Sequence, residues 1–185
     1  MSQTLAKRAA KWGVVTAAVL GLLTACDDVR APAAPGEGGA AVRPAAAAFS
    51  HDISGDLSGD YRPVSEVMAG GHRLTHLYLG QTADFERWHG GARSGGFAPV
   101  MIEFANASGG TVRVMPDSYR VEDGRVRFSG TNHQLGTVSF DGRLDQGALA
   151  TARRNLGEEA PVLTGVLRVG DRTLSGQTFR WYGGD

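Results

Sequence analysis

Arginine supplies the most pointed chemistry in this sequence. If Asp123-Gly124 is a two-residue turn, Glu122 faces Arg125, Val121 faces Val126, Arg120 faces Arg127 and Tyr119 faces Phe128. Arg120 and Arg127 then stand directly opposite one another, and like charges across a ladder are destabilising. Arg113 and Arg143 fall on the polar faces of neighbouring stretches. A guanidinium fork suits phosphate or carboxylate. The set Arg113, Arg120, Arg125, Arg127 and Arg143 is therefore a candidate anion- or partner-binding face for a lipid headgroup, a glycan or an acidic protein. The same residues also fit a solvated face in which Glu103, Glu122 and Asp141 interleave with the arginines, and exposed charge pairs contribute only ~0–1 kcal/mol.

Other residue types point less sharply. Tyr78, Phe85, Trp88 and Phe97 flank a glycine-rich stretch, and they can line the mouth of a cavity for an apolar ligand or simply pack in a core. His72 and His76 have the spacing that chelates on a helix, but their surroundings read as a strand, where that separation is ~13 Å. The repeated Ser-Gly-Asp at 54–56 and 58–60 lacks the alternating acids and distal glutamate of an EF-hand. His89-Gly90-Gly91 is not accompanied by Gly-x-Ser-x-Gly, and Ser94 follows no strand. The only lysines, Lys7 and Lys11, precede any foldable segment. No metal site, cofactor or catalytic set is expected from these spacings.

The elements that must position the arginines are strands. Phe49, His51, Ile53, Leu57 and Tyr61 fall on one face of an extended run. Val100, Ile102 and Phe104, then Val112 and Val114, then Val126 and Phe128, then Val138 and Phe140 alternate with polar residues. Residues 162–169 are apolar on both faces, as a covered strand would be. Leu174 against Phe179 and Trp181 changes parity, which predicts a bulge at Gly176. Asp123-Gly124 suits a hairpin turn that needs positive φ, and Gly170-Asp171 suits a turn with glycine first. With His72–Leu79 as a further strand, the expectation is all-β, an antiparallel barrel or sandwich of about eight or nine strands. Two short helices interrupt it, one capped by Thr82 and carrying Phe85 and Trp88, the other capped by Asp145 and carrying Leu149 and Ala152.

This domain, residues 49–185, is preceded by two segments of different composition. Lys7, Arg8 and Lys11 stand in an acid-free start, and Trp12 to Thr24 carry no charge. That apolar run is shorter than the ~20 residues a spanning helix needs, so it reads as an export signal. It ends in Leu23-Thr24-Ala25-Cys26, which resembles the lipobox of bacterial lipoproteins. The resemblance covers only residues 1–26. It implies a signal of residues 1–25, cleaved before Cys26, and Cys26 carrying covalent lipid that holds the protein in a membrane. Asp27 resembles the residue that retains enterobacterial lipoproteins in the inner membrane, so the periplasmic face of that membrane is favoured, with the outer membrane open. Residues 26–48 form the tether: the 22 residues from Asp27 to Ala48 hold nine Ala, three Pro and three Gly, too little apolar bulk to order themselves.

Charge bounds the partners. The formal balance of 19 Lys+Arg against 19 Asp+Glu includes the signal; after its removal 16 arginines face 19 acids, a formal −3. A protein that coats nucleic acid is excluded by that balance. Three readings remain, in this order: a non-enzymatic envelope lipoprotein that binds or scaffolds a partner through its sheet face, a lipocalin-like carrier of an apolar ligand or lipid, and a small hydrolase.

Overall fold

The computed structural model describes residues 48–157 and 160–184. The signal, Cys26 and the tether as far as residue 47 lie outside the described residues. All described residues belong to one compact unit, Pro44–Asp185, with its own apolar core, as an independently folding domain requires.

In chain order the elements are β1 (Phe49–Asp52), β2 (Gly59–Pro63), β3 (Met68–Ala69), β4 (His72–Leu79), α1 (Thr82–His89), β5 (Val100–Ala105), β6 (Thr111–Val114), β7 (Ser118–Glu122), β8 (Arg125–Asn132), β9 (Gly136–Leu144), α2 (Gln146–Arg154), β10 (Leu163–Val169) and β11 (Arg172–Tyr182). The fold is mainly β, as the alternating pattern predicts. The strands form one curled half-barrel sheet in the order β1-β7-β8-β9-β10-β11-β2-β4-β5-β6, with β3 pairing on β4. Every ladder is antiparallel except β1 on β7.

Alternation sorts the residues by face. Tyr61, Leu77, Ile102, Phe104, Val121, Val126, Phe140 and Phe179 point inward and are almost fully buried, each contributing roughly 1.5–3 kcal/mol of burial. Leu149 and Ala152 of α2 and Phe85 and Trp88 of α1 join the same core. Glycine makes room at two points of this interior. Gly142 and Gly165 lie opposite each other, and a Cβ on either would stand 2.5 or 2.7 Å from the Phe140 ring. On β8, a Cβ at Gly130 would lie 2.1 Å from the Met115 carbonyl oxygen. There the far edge of the sheet curls back: Asn132 Nδ2 donates to the Arg113 carbonyl at 3.1 Å.

Four expectations need correction or refinement. The extended run from Phe49 to Tyr61 is two strands in distant parts of the sheet, β1 beside β7 and β2 between β11 and β4. The chain turns between them because polar side chains capture it: Ser54 donates its N–H and hydroxyl to Asp123 at 2.8 and 2.5 Å, and Asp56 is held by Arg153 at 2.7 Å. With that split and the two-residue β3, the strands among the described residues number eleven. The first helix is capped by Gln81, not Thr82, and the Asp84 carboxylate accepts from the Gln81 N–H at 2.8 Å. Gly124 does not adopt the left-handed conformation expected of its turn, yet the register is the two-residue one, Glu122 opposite Arg125. Elsewhere turn chemistry is as read. Gly170 has φ +54° between paired Val169 and Arg172. The β11 bulge falls where Gly176 takes φ +66°, since Gly165 pairs with Gln177 but Leu167 with Leu174.

Asp145 caps α2 as its position suggests, accepting from the Ala148 N–H at 2.9 Å. Asp145→Ala is expected to cost ~1 kcal/mol, read as a lower urea midpoint with unchanged slope. A shift in slope would instead mean that the compactness of one of the two states had changed.

Candidate anion-binding face

The outward face of β1, β7, β8, β9 and β10 carries the arginine chemistry. Ladder pairing puts Ser50 opposite Arg120, Arg120 opposite Arg127, Ser118 opposite Ser129, and Arg127 opposite Asp141. The juxtaposition of Arg120 and Arg127 thus follows directly from the hairpin register. Arg125 lies opposite Arg143 on the next ladder, a second like-charge pair.

The acids on this face are committed. Asp141 is gripped in bidentate fashion by Arg125, through Nε at 2.9 Å and Nη2 at 2.8 Å. Arg127 Nε stands 3.8 Å from the same carboxylate, too far for a hydrogen bond. The Arg125 hydrogen bonds, then the charges of Arg125, Arg127 and Arg168, hold the Asp141 carboxyl below the usual carboxylate range. One carboxylate therefore serves three guanidinium groups. Glu122 accepts from Arg120 Nε and Nη2 at 2.8 and 2.5 Å. Arg143 makes no ion pair among the described residues.

Among the hollows on this face, two are lined by more than one of these arginines. One, about 370 Å³, is lined by Ala48, Ser50, Ser118, Arg120, Arg127 and Ser129, with Tyr119 and Phe128. The other, about 290 Å³, is framed by Arg125, Asp141, Arg143, Thr164 and Arg168. Of the five arginines singled out from the sequence, Arg120, Arg125, Arg127 and Arg143 share this face, whereas Arg113 on β6 is engaged elsewhere. Its Nε donates to Glu103 and its Nη1 to the Gly96 carbonyl, both at 2.5 Å. Arg168 belongs to the face and was hidden by the apolar run around it. The sign that could have found it is its parity: it is the polar member of the Leu167-Arg168-Val169 alternation.

The aromatic set divides. Phe85 and Trp88 are core residues: Phe85 meets Tyr119 edge-on at 5.5 Å, and Trp88 meets Phe49 at 6.0 Å. Burial pushes the Tyr119 phenol up to about 12. Tyr78 and Phe97 pack on each other at 5.7 Å, and Phe97 is exposed. The four do not line one mouth.

No family model, curated protein or solved structure matches the chain.

The remaining polar motifs find partners within the domain. His72 and His76 lie on β4, His76 between Asp60 at 3.7 Å and Glu103 at 3.8 Å. Ser94 closes its own loop, donating to the Phe97 carbonyl and accepting from its N–H. In the Ser-Gly-Asp repeat, Asp56 accepts from Arg153 and from the Ser58 N–H, and the Ser58 carbonyl accepts from Arg153 Nη2 at 2.7 Å and Trp181 Nε1 at 2.9 Å. The Arg153 bond leads in holding Asp56 down at about 2, against an ordinary 3.8. A depressed folded value means the contribution is complete above the ordinary value and is lost as pH falls towards the folded one. Urea midpoints are expected to drop between about pH 4 and about pH 2, and Asp56→Asn to flatten that drop. An equally steep drop in the variant would assign the acid loss to other carboxylates.

Proposed function

We propose that the protein is a lipid-tethered, non-enzymatic binding module of the bacterial envelope, which engages an anionic surface or partner through the arginine face of its sheet. The observation that carries this reading is the Arg120–Arg127 pair. Two like charges placed across a ladder cost stability, and an anion between them converts that cost into affinity. Asp141, the nearest acid to Arg127, is already shared with Arg125. The tether joins at Ala48, whose carbonyl accepts from the Tyr119 N–H at 2.9 Å, one residue from Arg120. Lipid on Cys26 would thus keep the domain within tether reach of a membrane, and Asp27 favours the periplasmic side of the inner one.

Packing favours the outer face over the interior as the working surface. Tyr61, Phe85, Phe104, Phe140 and Phe179, each at most 2% exposed, occupy the space that a lipocalin-like carrier would give to its ligand.

The test is expression of the full chain in a bacterium with labelled fatty acid. Label incorporated into the wild type and absent from Cys26→Ala, with release of the variant from the membrane fraction, is the expected result. Unlabelled wild-type protein would sink the tethered reading.

A further inference from the structure

We infer that the hollow framed by Ser50, Ser118, Ser129, Arg120 and Arg127 is a phosphate site whose ligand is the phosphate of an anionic lipid headgroup. This rests on the proposed tethered module and names the chemistry its face recognises.

The five side chains occupy adjacent outward positions on three strands, because β1, β7 and β8 pair in register. Rigid ladder positions hold a site more accurately than loops do. Arg120 is already oriented by Glu122, through Nε and Nη2, which leaves Nη1 for a ligand. The Arg127 guanidinium makes no hydrogen bond among the described residues, and its carboxylate neighbour lies at 3.8 Å. Asp117, the other acid at this end of β7, is turned to the Thr131 hydroxyl at 2.8 Å. The hydroxyls of Ser50, Ser118 and Ser129 make no hydrogen bond to other described residues, although each residue is half-buried. The Arg127 guanidinium, Nη1 of Arg120 and three idle hydroxyls offer more donors than a planar carboxylate can use. A tetrahedral phosphate, with its several acceptor oxygens, can use them. The volume, about 370 Å³, lies in the range of small-ligand sites.

The position of the hollow indicates the source of the phosphate. Ala48 lines it, and only 21 residues separate Ala48 from Cys26. The hollow therefore lies where the chain leading to the proposed lipid anchor enters the domain, within the roughly 25 Å that a flexible tether of this length spans, and so within reach of headgroup phosphate.

The experiment uses the compact unit Pro44–Asp185 and vesicles of phosphatidylcholine containing either phosphatidate or oleate at matched surface charge. Roughly tenfold tighter binding to the phosphatidate vesicles is expected, since losing hydrogen bonds to a charged group has about that effect. The triple variant Ser50→Ala, Ser118→Ala, Ser129→Ala should lose that preference while keeping salt-sensitive binding to both. Equal binding of wild type to the two vesicles, or an unchanged preference in the triple variant, overturns the phosphate site and leaves the broader arginine-face reading standing. If Arg120→Glu with Arg127→Glu also binds as wild type does, both fall. Glycerol 3-phosphate in solution binding as tightly as the vesicles would overturn the lipid source.

Discussion

Alanine at Gly130 is expected to lower stability by ~3 kcal/mol, the upper end of what overpacking a filled core costs. For a domain of this size that is a fall of roughly 6–12 °C in melting temperature. The new Cβ would lie 2.1 Å from the Met115 carbonyl oxygen, 2.9 Å from the Phe128 ring and 3.0 Å from Val114. The first of these is backbone and cannot rotate away. Either β8 moves outward or the segment after β6 does, and in both cases the Asn132–Arg113 bond that closes the curl is lost. Gly95→Ala is the control, since nothing lies within 4 Å of its Cβ and its φ is ordinary; it should change stability by no more than ~0.5 kcal/mol. Thermal melts of the two variants decide the matter, and a Gly130→Ala protein that melts with wild type would mean that β6 is not packed against β8 in solution.

Reversing two charges at once should have the second large effect, this time on binding. Arg120→Glu with Arg127→Glu replaces two positive charges by two negative ones on the same patch. At about 1 kcal/mol for each basic charge near an anionic membrane surface, the four-charge change amounts to about 4 kcal/mol, nearly three decades in affinity. Stability should fall by only about 1–2 kcal/mol, because an exposed Arg120–Glu122 ion pair is lost and the introduced carboxylates stand beside Glu122 and opposite Asp141. The two readouts therefore separate a binding defect from a folding defect. Vesicle flotation at low and moderate salt measures the first, and a urea titration the second. Unchanged flotation with an intact fold would remove the arginine face from the protein's function.

Much of this architecture was legible because alternation and turn chemistry are local. The register of β7 on β8 follows from Asp123-Gly124 alone, and it places Arg120 against Arg127 without any tertiary knowledge. Gly170-Asp171, the Gly176 bulge and the Asp145 cap are equally local. What escaped depends on partners remote in sequence. The break between β1 and β2 is fixed by Asp123 and Arg153, 69 and 97 residues away from Ser54 and Asp56. The serines of the hollow carried no signal, since Ser50 meets Arg120 only through the parallel pairing of β1 with β7. Phe85 and Trp88 read as mouth or core with equal ease, because a helix carrying two aromatics one turn apart has the same pattern in either place.

The parallel pairing of β1 with β7 also sets an order of events. From β7 to β11 the chain is a meander of neighbouring strands interrupted only by α2, and such local pairings form quickly. Phe49 must wait for Tyr119, its partner 70 residues later. It is the first strand of the domain to leave the ribosome and cannot be among the first to find its place. Until β7 exists, the hollow proposed for phosphate has no floor, since Ser50 lies on one side of the unmade ladder and both arginines on the other. Anion recognition through the proposed site would therefore be a property that the chain acquires only once β1 has closed onto β7, and a half-made domain would lack it.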